Sequence, residues 1–534
     1  MTRPHVGGVG VSPTRHGALL SAIIALVVGL SAAIYVSAAS DHGPGLDPQA
    51  VTRAAAPGPG SAAPISTGVW VGTWAASPVS GEPGTETDGM AGRTVRNVVH
   101  TSVGGTSARV TLSNLYGTGP LTVTHATLAV AAGDGSAAAV PDTLRRLTFG
   151  GATTVVVPAG GQTVSDAVTV VVPHDSDVLV STYSPTSAGP VTYHPHARQT
   201  NYVAEGESTE DVSGAAFTGA GDRWRYLTAL DVLSNEADGT LVALGDSITD
   251  GVTSTAGANR RWPDVLADRL RASVAADGDA PRYGVVNEGI SGNRVLADDS
   301  RRGAAAVNRF ERDVLGRTDV KVVVVDLGIN DILRDPGLAD PQTIVDGLRT
   351  LVDRAHAHGI RVVGTTLMPF RGHRGYNDGR EDVRQHVNQA IRADGVFDTV
   401  VDLDRALRDP YDPRSLRPEY DSGDHLHPSD RGYRKMAETV DLARLAGAAP
   451  PPPGHPPRPP PGAGAGGRPA GATPPPRGCS GCPPTPPPGT GPPERWGSRS
   501  PGGDGGGRPP PGCDTRRAPR GARSERIPGR AQSS

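Results

Sequence analysis

A chain of 534 residues has room for two or three domains with substantial cores. Its formal net charge of −3 argues against a nucleic-acid-binding protein and against a specialist for acidic substrates. All three cysteines, Cys479, Cys482 and Cys513, lie near the C-terminus, so the globular part must be stable without disulfides or thiolate metal sites.

Arg3, Arg15 and His16 precede an uncharged run over residues 17–39, in which Val36-Ser37-Ala38 supplies the small residues that a signal peptidase needs. Residues 1–39 therefore read as an export signal. An uncleaved membrane anchor is the alternative, because the run approaches the ~20 residues that span a bilayer. Either would put the rest of the chain outside the cell. Residues 40–67 are rich in Ala, Gly, Pro and Ser and read as a linker.

Over residues 68–235 the pattern is β. Ala108, Val110 and Leu112 alternate with polar neighbours, Asn114 to Pro120 supplies turn chemistry, and Leu121 and Val123 resume the alternation. Short runs at 155–157, 168–172 and 178–180 are each bounded by Gly, Pro or Asp. The spacing predicts an all-β sandwich. Trp70 and Trp74 within it read as core packing or, alternatively, as a sugar-stacking surface.

From about residue 240 strands and helices alternate. Strands are predicted at 241–244, 283–286, 320–327, 361–367 and 399–403. Pro263 suits the first turn of a helix in which Trp262, Leu266 and Leu270 recur every four residues. Ile344, Leu348, Leu351, Val352 and Ala355 form the apolar stripe of another, with Gly359 just past its end. Val322 to Val325 is continuously apolar, as a parallel strand covered on both faces should be. Residues 240–447 thus read as a three-layer α/β domain with a parallel sheet. From residue 448 to 534 Pro, Gly, Ala and Arg dominate, with twelve Arg, no Lys and four acidic residues. Such a stretch cannot bury enough apolar surface to order itself. It reads as a basic extension or as a frame-shifted reading of GC-rich coding sequence.

Acyl transfer needs a nucleophile, a base, a group that orients the base, and donors for an oxyanion. Ser247, in Gly245-Asp246-Ser247, follows the first strand and is the candidate nucleophile. Gly292, in Ile290-Ser291-Gly292-Asn293, follows the second, where the missing side chain lets its N–H approach a ligand. Asn330, in Gly328-Ile329-Asn330-Asp331, ends the third and could aim its amide at an oxyanion, while Asp331 suits a cap or a loop brace. In Asp424-His425-Leu426-His427-Pro428 the three-residue step lets Asp424 accept from His427 Nδ1, leaving Nε2 for Ser247. His425 is expected to be exposed. A metal site built from these two histidines and the aspartate is the competing reading.

Together these four blocks resemble the SGNH subgroup of the GDSL esterase/lipase family, over roughly residues 240–447. The resemblance implies a flavodoxin-like sheet, Ser247 as nucleophile, His427 as base oriented by Asp424, and an oxyanion hole made by Ser247, Gly292 and Asn330. It also implies hydrolysis without metal or organic cofactor. The β region is similar to the N-terminal module of secreted bacterial GDSL esterases, through Trp70-Val71-Gly72-Thr73-Trp74-Ala75-Ala76 and Ser113-Asn114-Leu115-Tyr116-Gly117.

The expected activity is that of an exported serine esterase acting on small-molecule or polysaccharide carboxylic esters, without a nucleic-acid partner and with membrane contact only through an N-terminal anchor. A polysaccharide O-acetyl esterase whose β domain holds the glycan shares that chemistry. A catalytically inactive β-sandwich binding protein is the alternative of another class. Met368-Pro369-Phe370 through Tyr376 are expected as pocket walls, with His373 and Arg374 read as part of a solvated loop or, alternatively, as substrate contacts.

Overall fold

The computed structural model describes residues 68–393, 395–447 and 449. The expected export signal and linker, and nearly all of the C-terminal stretch from 448, lie outside them. Among the described residues no helix is long and apolar enough to cross a membrane.

The N-terminal half is a β domain of antiparallel strands. Strand Gly105–Ser113 carries the alternation of Ala108, Val110 and Leu112 inward, all three fully buried. It pairs with Leu227–Ser234 on one side and Val168–Val172 on the other. In a second sheet, Asp177–Ser184 lies between Arg93–His100 and His125–Val130. Val95, Val178 and Val180 of the second sheet join Val71, Val110 and Val232 of the first in one apolar core, so the two sheets pack face to face. Trp74 is part of that core. Its ring meets Trp224 edge-on at 4.9 Å between centroids. Trp70 instead lies under the Arg109 guanidinium, 4.6 Å from the ring centroid.

The C-terminal half is built on a parallel sheet of β1 (Gly239–Gly245), β2 (Tyr283–Gly289), β3 (Val320–Asp326), β4 (Arg361–Thr365) and β5 (Thr399–Val401). The order is β2-β1-β3-β4-β5, with every pairing parallel. This is the flavodoxin-like order, in which ligands bind beyond the carboxyl ends of the strands near the reversal beside β1. Val322 to Val325 are at most 1% exposed, as cover on both faces requires. Trp262, Leu266 and Leu270 face the core from helix Trp262–Ala275, and Ile344, Leu348 and Leu351 from helix Pro341–Ala357.

β3 ends one residue before the sequence predicts, and β4 and β5 end two residues early, where side chains take over backbone groups. Asn388 Oδ1 accepts from Leu367 N–H at 2.7 Å and its Nδ2 donates to Leu367 O at 2.8 Å, so β4 stops at Thr365. Asp402 accepts from Arg405 N–H at 3.0 Å, which starts a helix at Leu403 and ends β5 at Val401.

The two halves share polar contacts as well as packing. Gly72 N–H donates to Thr240 Oγ1 at 2.9 Å, and Val285 N–H donates to Ser102 Oγ at 2.9 Å. Both contacts join the β domain to the β1–β2 edge of the parallel sheet.

Candidate active site

Ser247 opens a one-turn helix, Ser247–Asp250, directly after β1. Gly245 permits that sharp entry. A Cβ at this position would lie 2.1 Å from Thr249 Oγ1 and 2.3 Å from Thr249 Cβ, so no other residue lets strand and turn approach this closely. Asp246 caps the turn by accepting from Ile248 N–H at 3.0 Å. From the flanking helix, Trp262 Nε1 donates to Thr249 Oγ1 at 3.2 Å.

Ser247 Oγ lies 2.7 Å from His427 Nε2, and His427 Nδ1 lies 2.6 Å from Asp424 Oδ2. The carboxylate can only accept, so the ring proton sits on Nδ1 and the Nε2 lone pair faces the serine hydroxyl. Asp424 Oδ1 accepts from Leu426 N–H at 3.0 Å and His427 N–H at 2.8 Å. Partial burial disfavours the Asp424 charge. The hydrogen bonds from His427 outweigh it and hold the carboxyl well below its ordinary range. His425 points elsewhere: its Nδ1 lies 2.6 Å from Asp421 Oδ2, and half of its side chain is exposed. Each imidazole thus has its own carboxylate. Among the described residues no group of three or more His, Cys, Asp or Glu is placed to hold a metal ion.

Gly292 and Asn330 line the same cleft as Ser247 and His427, a cavity of about 710 Å³. Asn330 Nδ2 donates to Asp246 Oδ2 at 3.1 Å, and Arg334 Nε donates to Asn330 Oδ1 at 3.1 Å. An acceptor at one end and a donor at the other fix the amide orientation and leave the second Nδ2 proton free. Gly292 has φ +77°, a left-handed conformation that favours glycine. Its loop is pinned from three sides. Ile290 N–H donates to Gly245 O at 3.1 Å, and Ser291 N–H donates to Asp250 Oδ2 at 3.0 Å. The Asp331 carboxylate accepts from Val295 N–H at 2.9 Å and Leu296 N–H at 3.1 Å, bracing the following turn.

Several residues behind the site carry no signal that their neighbours in sequence would reveal. Asp250 also meets His194 of the β domain, whose Nε2 lies 3.1 Å from Asp250 Oδ1 and whose Nδ1 lies 2.7 Å from Ser77 O. Arg309, fully buried, donates to Gly245 O at 3.0 Å, Glu288 O at 2.8 Å, Asn293 Oδ1 at 3.1 Å and Ser77 Oγ at 2.9 Å. It thereby ties the ends of β1 and β2, the Gly292 loop and the β domain together. Burial, then the neighbouring Asp326 carboxylate, push Asp246 well above the ordinary carboxyl range.

One wall of the cleft comes from the β domain, through Val79, Pro195 and His196. The loop after β4 divides in a way the sequence does not reveal. Met368 and Phe370, expected as pocket walls, are buried in the core of the C-terminal half, and Phe370 is packed edge-on against Tyr376 at 5.3 Å. His373 and Arg374, read as a solvated loop or as substrate contacts, line the cleft, and Arg374 is exposed.

Residues 243–435 match the model of the GDSL-like lipase/acylhydrolase family. The chain carries a GDSL-like lipase/acylhydrolase domain. The GDSL domain is that of a carboxylic ester hydrolase. Solved structures similar to the chain include a lipolytic protein of the G-D-S-L family from Desulfitobacterium hafniense, 20% identical with TM-score 0.30, covering 39% of this chain and 100% of that one. Another is an acetylxylan esterase from Geobacillus stearothermophilus, 21% identical with TM-score 0.29, covering 38% of this chain and 92% of its own. A GDSL-like lipase from Bacteroides thetaiotaomicron is 20% identical with TM-score 0.28, covering 38% of this chain and 87% of its own. No curated protein matches the chain.

Proposed function

We propose that the protein is an exported serine esterase that cleaves carboxylic esters through an acyl-enzyme. The observation that carries this reading is the relay from Ser247 Oγ to His427 Nε2 at 2.7 Å and from His427 Nδ1 to Asp424 at 2.6 Å, in a cleft shared with Gly292 and Asn330. Ser247 Oγ attacks the ester carbonyl as its proton passes to His427 Nε2. The developing oxyanion is met by the N–H groups of Ser247 and Gly292 and by the free Nδ2 proton of Asn330. The ester C–O bond breaks, and the alcohol leaves with the proton from His427. A water molecule, deprotonated by the same nitrogen, then releases the acid. Asp424 keeps Nδ1 protonated and stabilises the imidazolium throughout.

Ser247→Ala should abolish labelling by a fluorophosphonate and lower turnover of 4-nitrophenyl acetate by about 10⁴-fold or more, with an unchanged melting temperature. Near-wild-type turnover by that variant would refute the assignment. An unlabelled, inactive wild-type protein would favour a binding protein instead. Within the same chemistry, a polysaccharide O-acetyl ester is supported by the β-domain wall of Val79, Pro195 and His196, which extends the cleft beyond the reacting atoms. Export rests on residues 1–39 of the sequence, and N-terminal sequencing of the mature protein distinguishes a cleaved signal from an anchor.

A further inference from the structure

The residues that line the cleft beside Ser247 include four arginines, Arg301, Arg302, Arg334 and Arg374, and no aspartate or glutamate. This runs against the balance of the whole chain, in which acidic residues outnumber Lys and Arg. Arginines buried elsewhere in the GDSL domain are answered by acids. Arg309 meets Asp313 at 3.0 Å and Arg384 meets Asp404 at 2.8 Å. In the cleft only Arg302 has such a partner, Asp299 at 3.2 Å. Among the described residues no carboxylate pairs with Arg301, Arg334 or Arg374.

Two of these groups are held side by side. A Cβ placed on Gly292 would lie 2.4 Å from Arg302 Cδ and 2.5 Å from Arg334 Nη2, so both side chains fold over the glycine. Arg334 cannot easily swing away, because its Nε is bonded to Asn330 Oδ1. Burial, and then the Arg302 charge, disfavour protonated Arg334, against a smaller opposing pull from the Asp299 and Asp246 carboxylates. Asp299 meets Arg302 but no carboxylate is bonded to Arg334, so a bound anion would relieve the repulsion that remains between the two. Guanidinium forks match the planar geometry of a carboxylate, to which they donate two parallel hydrogen bonds.

We propose that this cleft selects esters that carry a carboxylate close to the scissile bond, held by Arg302 and Arg334 and drawn in by Arg301 and Arg374. The proposal rests on the hydrolase reading of Ser247 and adds the substrate's charge to it. The net charge of −3 argued against an acidic substrate, but an average over the chain does not see four arginines gathered at one cleft.

Matched pairs of esters test it. For a carboxylate in the alcohol half, 4-acetoxybenzoate is compared with its methyl ester. For one in the acyl half, 4-nitrophenyl hydrogen glutarate is compared with 4-nitrophenyl pentanoate. The wild-type enzyme should favour the anionic member of at least one pair by about tenfold or more in kcat/KM at low salt, and the pair that responds identifies the half. That preference should shrink as salt rises and fall by about tenfold in Arg302→Gln. Hydrolysis of the neutral esters with no anionic preference in either pair would overturn the proposal while leaving the esterase reading intact. Hydrolysis of none of the four, with no fluorophosphonate labelling, would overturn both.

Discussion

Asn330 is held at both ends of its amide, by the Asp246 carboxylate and by the Arg334 guanidinium. In the proposed mechanism its contribution to ester cleavage is the one proton these partners leave over. Asn330→Ala should therefore lower kcat by about 10²–10³-fold with little change in KM, since the donor acts on charge that appears only in the transition state. Steady-state kinetics on 4-nitrophenyl acetate checks this, and a loss smaller than about tenfold would remove Asn330 from the oxyanion hole. At this scale much was legible beforehand. Ser247, Gly292, Asn330 and His427 each sit in a short motif just past a strand or before a helix, and the parallel sheet brings all four to one cleft. The setting of Asp246 was not legible. Its burial beside Asp326 follows from the register that pairs Gly245 with Asp326 across β1 and β3, which no local pattern encodes.

Between elements, the informative link is the one from strand Thr192–Pro195 to the Gly292 loop, passing through His194 and Asp250 to Ser291. Both ring nitrogens of His194 face acceptors, so the doubly protonated ring satisfies both contacts. Burial opposes that charge, but Asp250 and the Ser77 carbonyl outweigh it and raise the His194 pKa above the ordinary histidine value. A raised folded-state value gives stabilisation that is complete below the unfolded value of about 6.5 and is lost as pH rises through the folded value. The melting-temperature gap between wild type and His194→Gln should thus be widest below about pH 6 and narrow as the pH climbs. A gap that stays constant with pH would argue that His194 contributes only packing. The same scale shows why element type was easier to read than element end. Apolar runs identified β4 and β5, whereas their last residues depend on Asn388 and on the Asp402 cap, and Asn388 comes from a distant helix.

For the molecule as a whole, Arg309 is one of several ties between the halves, reaching β1, β2, the Gly292 loop and Ser77 of the β domain from one buried position. Arg309→Met would leave Asp313 and Glu288 in the interior with less compensating charge. Stability should fall by about 3–5 kcal/mol, read from urea unfolding, with esterase activity falling in the same variant. A loss under about 1 kcal/mol would show that Arg312 and Arg317, which also meet these acids, carry the compensation alone. The β and α/β halves were legible from the change of hydrophobic period near residue 240. Their shared interior was not, because a buried arginine reads in sequence like any solvated one.

The wall that Val79, Pro195 and His196 lend to the cleft has a consequence for how such an enzyme diversifies. In the proposed mechanism the atoms that make and break the ester bond all belong to the C-terminal half, whereas part of the cleft wall belongs to the N-terminal half. That part of the substrate's fit can therefore vary without change in the C-terminal half. Substitutions at Val79, Pro195 and His196 would reshape that wall without touching Ser247, His427 or Asp424.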